Sequence, residues 1–280
     1  MRRIVLFVLF VLAAAGQLTF AQEDTGNDAL VVISYNIRNG EANDGTNSWR
    51  YRYPCTLLML QDQKPDIMGV QEAYDYQVLL ISENMRDYKA IGVGREDGKS
   101  EGEHMSIFYN KKTVSLKKWG TFWLSETPDK PSLGWDAACR RTATWAIMKD
   151  KRNGRDFLYV NTHLDHVGKA AQRNGLDLIL SKIKEMNNKN LPVVLTGDFN
   201  VEPDDSVLDV LDGSMVSARD VADKTDSHGT YSNWGKESSI IDYIWYSGFS
   251  SCPEYQTITK KYGGRAFISD HYPVKAVLRF

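Results

Sequence analysis

The feature that most constrains this chain is a recurring unit: a short apolar run, too short for a helix, that ends on a polar residue. Val31-Val32-Ile33 leads to Asn36 and Arg38, Ile67-Met68-Gly69-Val70 to Glu72, Leu158-Tyr159-Val160 to His163, and Val193-Val194-Leu195 to Asp198 and Asn200. Residues apolar at consecutive positions need cover on both faces, as the strands of a sheet sandwiched between other layers have. Such strands each deliver a polar group at the same kind of edge, where a rigid sheet displays residues for chemistry. The short β-rich runs include 30–37, 66–70, 105–109, 142–148, 157–162, 193–195, 240–246 and 273–280. Between two of them, Leu176, Ile179, Leu180 and Ile183 fall at three- and four-residue spacing and predict a helix with a core-facing stripe. No Pro/Gly/Ser-rich break or repeat interrupts this alternation, so residues 29–280 read as one α/β domain.

The first 28 residues follow a different rule. Arg2 and Arg3 precede an unbroken apolar run at 4–15, and Thr19-Phe20-Ala21 places small residues at the minus-three and minus-one positions of a cleavage site. This pattern predicts a signal peptide over 1–21 followed by a linker over 22–28, and a secreted or periplasmic protein. The run is shorter than the roughly 20 residues that cross a bilayer, so no stable membrane insertion is expected. Removing 1–21 takes away two arginines and no acids, which moves the net charge from -2 to -4. A chain of that charge has no global field to gather long nucleic acid. Cys55, Cys139 and Cys252 form no CxxC pair, do not read as a zinc site, and are expected to be buried thiols, with one disulfide and a leftover thiol as the alternative in an exported protein. A monomer is expected.

Hydrolysis of a phosphate ester needs a cation for the developing charge, a base for water, donors for the phosphoryl oxygens and help for the leaving oxygen. The strand-end residues supply each. Glu72 and Asp270, with Asn36, are hard oxygen donors that suit Mg²⁺, or Mn²⁺, rather than zinc. Asp198, His163 and His271 can move protons, and Asn36, Asn200 and Arg141 can donate to phosphate. No Gly-x-Ser-x-Gly elbow is present to favour a serine hydrolase. A binding module without catalysis would lack one of these groups, and none is lost.

The ordered set Ser34-Tyr35-Asn36-Ile37-Arg38, Gln71-Glu72, Asn161-Thr162-His163-Leu164, Gly197-Asp198-Phe199-Asn200, Ile241-Asp242-Tyr243-Ile244 and Ser269-Asp270-His271-Tyr272-Pro273 resembles the endonuclease/exonuclease/phosphatase family, the deoxyribonuclease I-like superfamily, in a secreted bacterial branch. The resemblance implies a four-layer α/β sandwich: two mixed β-sheets packed face to face, with helices on the outer faces. It implies that Glu72 is the principal metal ligand, with Asn36 and Asp270 at or beside the metal. Asp198 matches the residue that activates or orients water, and Asn200 the donor that orients the phosphate and Asp198. His271 matches the histidine that takes the water proton or stabilises the phosphorane, Asp242 its carboxylate partner, and His163 the histidine that assists the leaving oxygen. Arg38 stands where abasic-site endonucleases have an Asp, as in the deoxyribonuclease I branch, and is expected to clamp phosphate with Arg141. Glu103 stands where that branch keeps a carboxylate to orient the leaving-group histidine, so it is paired with His163. Asp242 is flanked by Ile241 and Tyr243, unlike the Cys-Asp-Arg of inositol-polyphosphate 5-phosphatases.

Substrate identity stays open at this level. A phosphodiester is expected first, with a phosphomonoester or a lipid or sugar phosphodiester as the alternative, and the partner as a short nucleic acid, a nucleotide, or a phosphorylated lipid or sugar. Trp123 and Trp135, with Trp234, lie in Gly/Pro/Ser-rich stretches and are candidates to wall a substrate pocket, whereas Phe122, Leu124 and Trp245 read as core. His104 and His228 read as surface or supporting residues, and His166 as a rim contact.

Overall fold

Alternate side chains of one strand point to opposite faces, so a strand apolar at every position can serve two cores at once. The first strand, β1 (Ala29–Asn36), does this: Leu30 and Val32 enter a cluster between two sheets, while Ile33 and Tyr35 enter a second cluster under helices. The structure, a computed structural model, describes residues 29–280, so the expected signal peptide and linker lie outside the described residues.

After β1 come α1 (Trp49–Gln63), β2 (Ile67–Gln71), α2 (Asp75–Asn84), β3 (Tyr88–Ile91), β4 (Ile107–Asn110), β5 (Val114–Trp123), β6 (Thr142–Asp150), β7 (Asp156–His163), α3 (Lys169–Met186), β8 (Val193–Asp198), β9 (Val216–Ser217), a single turn α4 (Ala218–Val221), β10 (Asp242–Ser247), β11 (Ser251–Thr257) and β12 (Val274–Arg279). They build two six-stranded sheets, ordered β11-β12-β1-β2-β4-β3 and β5-β6-β7-β8-β10-β9. The pairs β1/β2 and β7/β8 are parallel and the others antiparallel, so both sheets are mixed. Val32, Ile67 and Ala276 of the first sheet meet Ala146, Phe157 and Val194 of the second in the central core. Helices α1 and α2 cover the outer face of the first sheet. Helix α3 covers the second, with Leu176 and Ile179 fully buried and Leu180 and Ile183 packed at the margin, as their spacing predicts. The expected four-layer sandwich is the observed one. No helix among the described residues is long and apolar enough to cross a membrane.

Polar residues cross the inter-sheet core next to the site. Asn161 Nδ2 donates to the carbonyl of Val70 at 2.8 Å, and Asn161 Oδ1 accepts from Gln71 at 2.7 Å and from Thr196 at 3.1 Å. Gly69 makes room for this network, because a Cβ there would lie 2.4 Å from Asn161 Oδ1 and 2.6 Å from Thr196 Oγ1. Gly69→Ala is therefore expected to lower stability by about 1–3 kcal/mol, by overpacking and by parting buried polar groups. Urea unfolding measures it, and a midpoint equal to that of the unsubstituted protein would contradict the close approach of the sheets.

Candidate active site

Strand register assembles the site. In the parallel pair β7/β8, His163 lies opposite Asp198, and in the antiparallel pair β8/β10, Asp198 lies opposite Asp242. In the other sheet the parallel pair β1/β2 sets Asn36 opposite Gln71, one residue before Glu72. Both sheets thus end on their polar residues at the same edge. The turns after these strands hold Arg38 (φ 58°), Glu72 (φ 61°) and Asn200 (φ 55°) in left-handed backbone. Asn tolerates that region, but for Arg and Glu it stores strain on the order of 1–3 kcal/mol, which the surrounding bonds sustain.

Asp198 is the hub. Its Oδ1 accepts the Asn200 backbone N–H at 3.0 Å, and its Oδ2 accepts Asn36 Nδ2 at 2.9 Å. The same Oδ2 lies 3.5 Å from His163 Nε2 and 3.7 Å from His271 Nε2. His271 Nδ1 is bonded to Asp242 Oδ2 at 2.8 Å. Burial opposes a charge on this imidazole, yet Asp242, Asp198 and Asp270 outweigh it and push His271 up to about 10. Burial, reinforced by the charge of Asp242, pushes Asp198 up to about 7. His163 moves the other way: burial first, then the Arg141 and Arg95 cations, hold it well below the usual histidine range. It is a neutral imidazole whose Nε2 accepts Asn200 Nδ2 at 2.9 Å, and its Nδ1 is buried without a partner.

Asp198, Asn200, His163 and His271 line a cavity of about 450 Å³ with Arg38, Glu72, Asp270 and Arg141, while Asn36 and Asp242 lie behind them, so sequence-predicted residues from both sheets do converge. Arg38 lies 3.5 Å from Asp270 and 3.9 Å from Glu72, and it is bonded to Asp44 at 3.1 Å. Arg141 is bonded to Asp165 at 3.3 Å and to His166 Nδ1 at 3.0 Å, which puts His166 at the rim as expected.

Several expectations are corrected. Glu103 does not bond His163. Arg95, eight residues earlier in the same loop, takes its Oε2 at 2.5 Å, because a guanidinium gives a carboxylate a far stronger bond than a neutral imidazole does. Trp123 and Trp135 do not line the cavity. Trp123 is buried in β5 and donates its indole N–H to the Arg95 carbonyl at 2.7 Å, and Trp135 packs on the core under α3. Trp234 lies beside Arg52, and Tyr231, whose ring centroid is 4.8 Å from that of His271, is the aromatic residue in the lining. Of the two readings of His104, surface or supporting, its burial leaves the supporting one. Asn36 accepts the Arg38 N–H on its Oδ1 at 3.0 Å and donates its Nδ2 to Glu72 and Asp198, so it bridges two carboxylates. The three cysteines are free thiols, with Cys139 only half-buried.

Sequence reasoning missed Arg95, Asp165 and Arg52. Arg52 is fully buried and donates to the carbonyls of Ile37, Arg38 and Ile268, tying the loop that carries Arg38 to the segment that carries Asp270. Its signal, an Arg within the otherwise unassigned Trp49–Gln63 segment, is not distinctive.

The donor chemistry fits a divalent cation. Glu72, Asp198, Asp242 and Asp270 bring four buried or nearly buried carboxyl groups together, and Asp242 Oδ1 has no hydrogen-bond partner. The ligand atoms of Asp198, Asp242 and His271 lie within 4.8 Å of one another, but His271 and Asp242 are already bonded to each other. Cys139, Asp165 and His166 form a similar group, in which Asp165 already accepts the N–H groups of Ala138, Val167 and Gly168.

Comparison with known proteins agrees with this geometry. The chain is 39% identical to mannosyl-6-phosphatase of Bacteroides thetaiotaomicron, whose structure superposes with a TM-score of 0.86 over 90% of this chain and 100% of that one. An endonuclease/exonuclease/phosphatase of Bacteroides vulgatus is 34% identical, with a TM-score of 0.86 over 90% of this chain and 99% of that one. At 17% identity, D. rerio TDP2 complexed with single-strand DNA product shares the fold, with a TM-score of 0.72 over 90% of this chain and 99% of that one. The sequence profile of the Endonuclease/Exonuclease/phosphatase family matches residues 33–271, and with the site assembled at the ends of β1, β2, β7, β8 and β10 the chain belongs to that family of phosphoester hydrolases.

Proposed function

We propose that this hydrolase is a phosphomonoesterase that releases phosphate from a small, hydroxyl-rich molecule, a sugar phosphate being the favoured class. The observation that carries the reading is the cavity: its volume, about 450 Å³, suits a ligand the size of a monosaccharide phosphate, and its lining is mostly charged or polar. The 39% identical relative, a mannosyl-6-phosphatase, supports the same class. The phosphodiester that the sequence placed first needs a path for a second esterified group, and a chain of net charge -2 offers no general attraction to a polyanion.

The chain's own residues divide the work. Asn36 and Asn200 fix the Asp198 carboxylate, which is placed to orient water and accept its proton. His271, kept protonated by Asp242, donates to the phosphoryl oxygens, as do Arg38 and Arg141. Glu72 and Asp270 would hold the divalent cation, Mg²⁺ or Mn²⁺ by their oxygen chemistry. When bound, such an ion offsets charge on the phosphoryl and leaving oxygens.

The test is a substrate panel for the purified protein with Mg²⁺ and with excess EDTA: hexose 6-phosphates, nucleotides, 4-nitrophenyl phosphate, bis(4-nitrophenyl) phosphate and single-stranded DNA. Monoesters are expected to exceed diesters in kcat/KM by at least about tenfold, and EDTA to abolish turnover. A preference for the diesters would overturn the monoesterase reading, and full activity in EDTA would overturn the metal.

A further inference from the structure

The loop between β3 and β4 carries a buried ion pair that the chemistry above does not use. Arg95 and Glu103 have side chains only 14% and 10% exposed, they are 2.5 Å apart, and both line the cavity. The loop is braced rather than loose. Backbone bonds join Gly94 to Lys99, Arg95 to Glu103 and Glu96 to Glu101, Trp123 holds the Arg95 carbonyl, and Arg140 pairs with Glu96. Burying two charges costs several kcal/mol in desolvation, which an ion pair returns only in part, so such a pair is weak as a source of stability.

The pair also has unused capacity on both sides. Glu103 Oε2 is bonded to Arg95 Nη1, but Glu103 Oε1 and Arg95 Nη2 have no hydrogen-bond partner among the described residues. A carboxylate oxygen beside a guanidinium N–H presents an acceptor next to a donor. Adjacent hydroxyl groups, each both donor and acceptor, match that pattern, whereas a second phosphate would meet the Glu103 charge.

We propose that Arg95 and Glu103 form a hydroxyl-reading subsite that holds a vicinal diol of the sugar whose phosphate lies among Asp198, His271 and Arg38. The subsite rests on the phosphomonoesterase reading and deepens it, setting the preference for sugar phosphates over phosphate esters without hydroxyl groups.

The test is kinetic and uses the whole enzyme. The wild type and Glu103→Gln are assayed on a hexose 6-phosphate, on its 2-, 3- and 4-deoxy analogues, and on 4-nitrophenyl phosphate. Glu103→Gln is expected to lose about 10–100-fold in kcat/KM on the hexose phosphate and much less on the nitrophenyl ester, because a site built around hydroxyls leaves its polar groups unpaired when the match fails. At least one deoxy analogue should lose about tenfold or more with the wild type, and little further with Glu103→Gln. The deoxy series needs no variant, so it decides even if Glu103→Gln fails to fold. Equal losses on the hexose and nitrophenyl esters, or deoxy analogues as good as the parent, overturn the subsite and leave the monoesterase standing. A wild type that hydrolyses no phosphomonoester overturns the function, and the subsite with it.

Discussion

Asp242→Asn is expected to lower kcat/KM by about 10²–10⁴-fold on every phosphate ester, the range of a lost proton-handling group, while leaving the fold unchanged. The substitution is nearly neutral in packing. Asp242 Oδ2 accepts His271 Nδ1 at 2.8 Å and Oδ1 has no partner, so an amide can keep its oxygen on the imidazole and place its nitrogen where no bond is lost. The change is one of charge. Burial disfavours the imidazolium, and Asp242 is the largest of the groups that hold His271 up at about 10. Without it the proton binds less tightly, the pKa falls, and above the new value His271 is a neutral imidazole that stabilises phosphoryl charge less well. NMR titration of the imidazole reads this independently of turnover. An unchanged His271 titration would sink the electrostatic role of Asp242 even if activity were lost.

The site was legible because its residues sit at strand ends, where local sequence decides both the strand and the polar residue at its end. Val193-Val194-Leu195 can only be buried strand, and Asp198 must then emerge just beyond it. Pairing β7 with β8 and β8 with β10 does the rest, since register sets His163 and Asp242 on either side of Asp198. The hidden features depend on partner choice across the chain. Glu103 has one short sequence context, which pairs it with His163, and only the closed loop shows that Arg95 takes it instead. Strand β5 is an edge strand with an irregularity between Leu116 and Lys118, and its exposed Lys and Trp residues blur the period-two pattern, so Trp123 reads as a pocket wall. Helix α1 contains Pro54 and has almost no amphipathic signal. It is fastened by the buried Arg52 and its three backbone carbonyls, contacts between residues 14 to 216 positions apart that no local pattern encodes.

The loss from removing His163 is expected to depend on the leaving group. In the free enzyme this histidine is neutral, because burial and the cations of Arg141 and Arg95 all disfavour its charge. A bound phosphate dianion reverses part of that balance: it pairs with the guanidiniums that line the cavity and attracts a proton to the imidazole beside it. His163 can then give that proton to a departing alkoxide, which leaves poorly without one, whereas nitrophenolate departs unaided. His163→Ala should therefore cost about 10²–10⁴-fold in kcat/KM on a hexose 6-phosphate and much less on 4-nitrophenyl phosphate, while Asp242→Asn is severe on both. The competing role is positional. Asn200 Nδ2 is bonded to His163 Nε2 at 2.9 Å, and the Asn200 N–H fixes Asp198, so the ring also steadies the hub of the site. Loss of that support slows both substrates alike, and equal losses would strip His163 of the acid role and leave it as a positioning residue for Asn200.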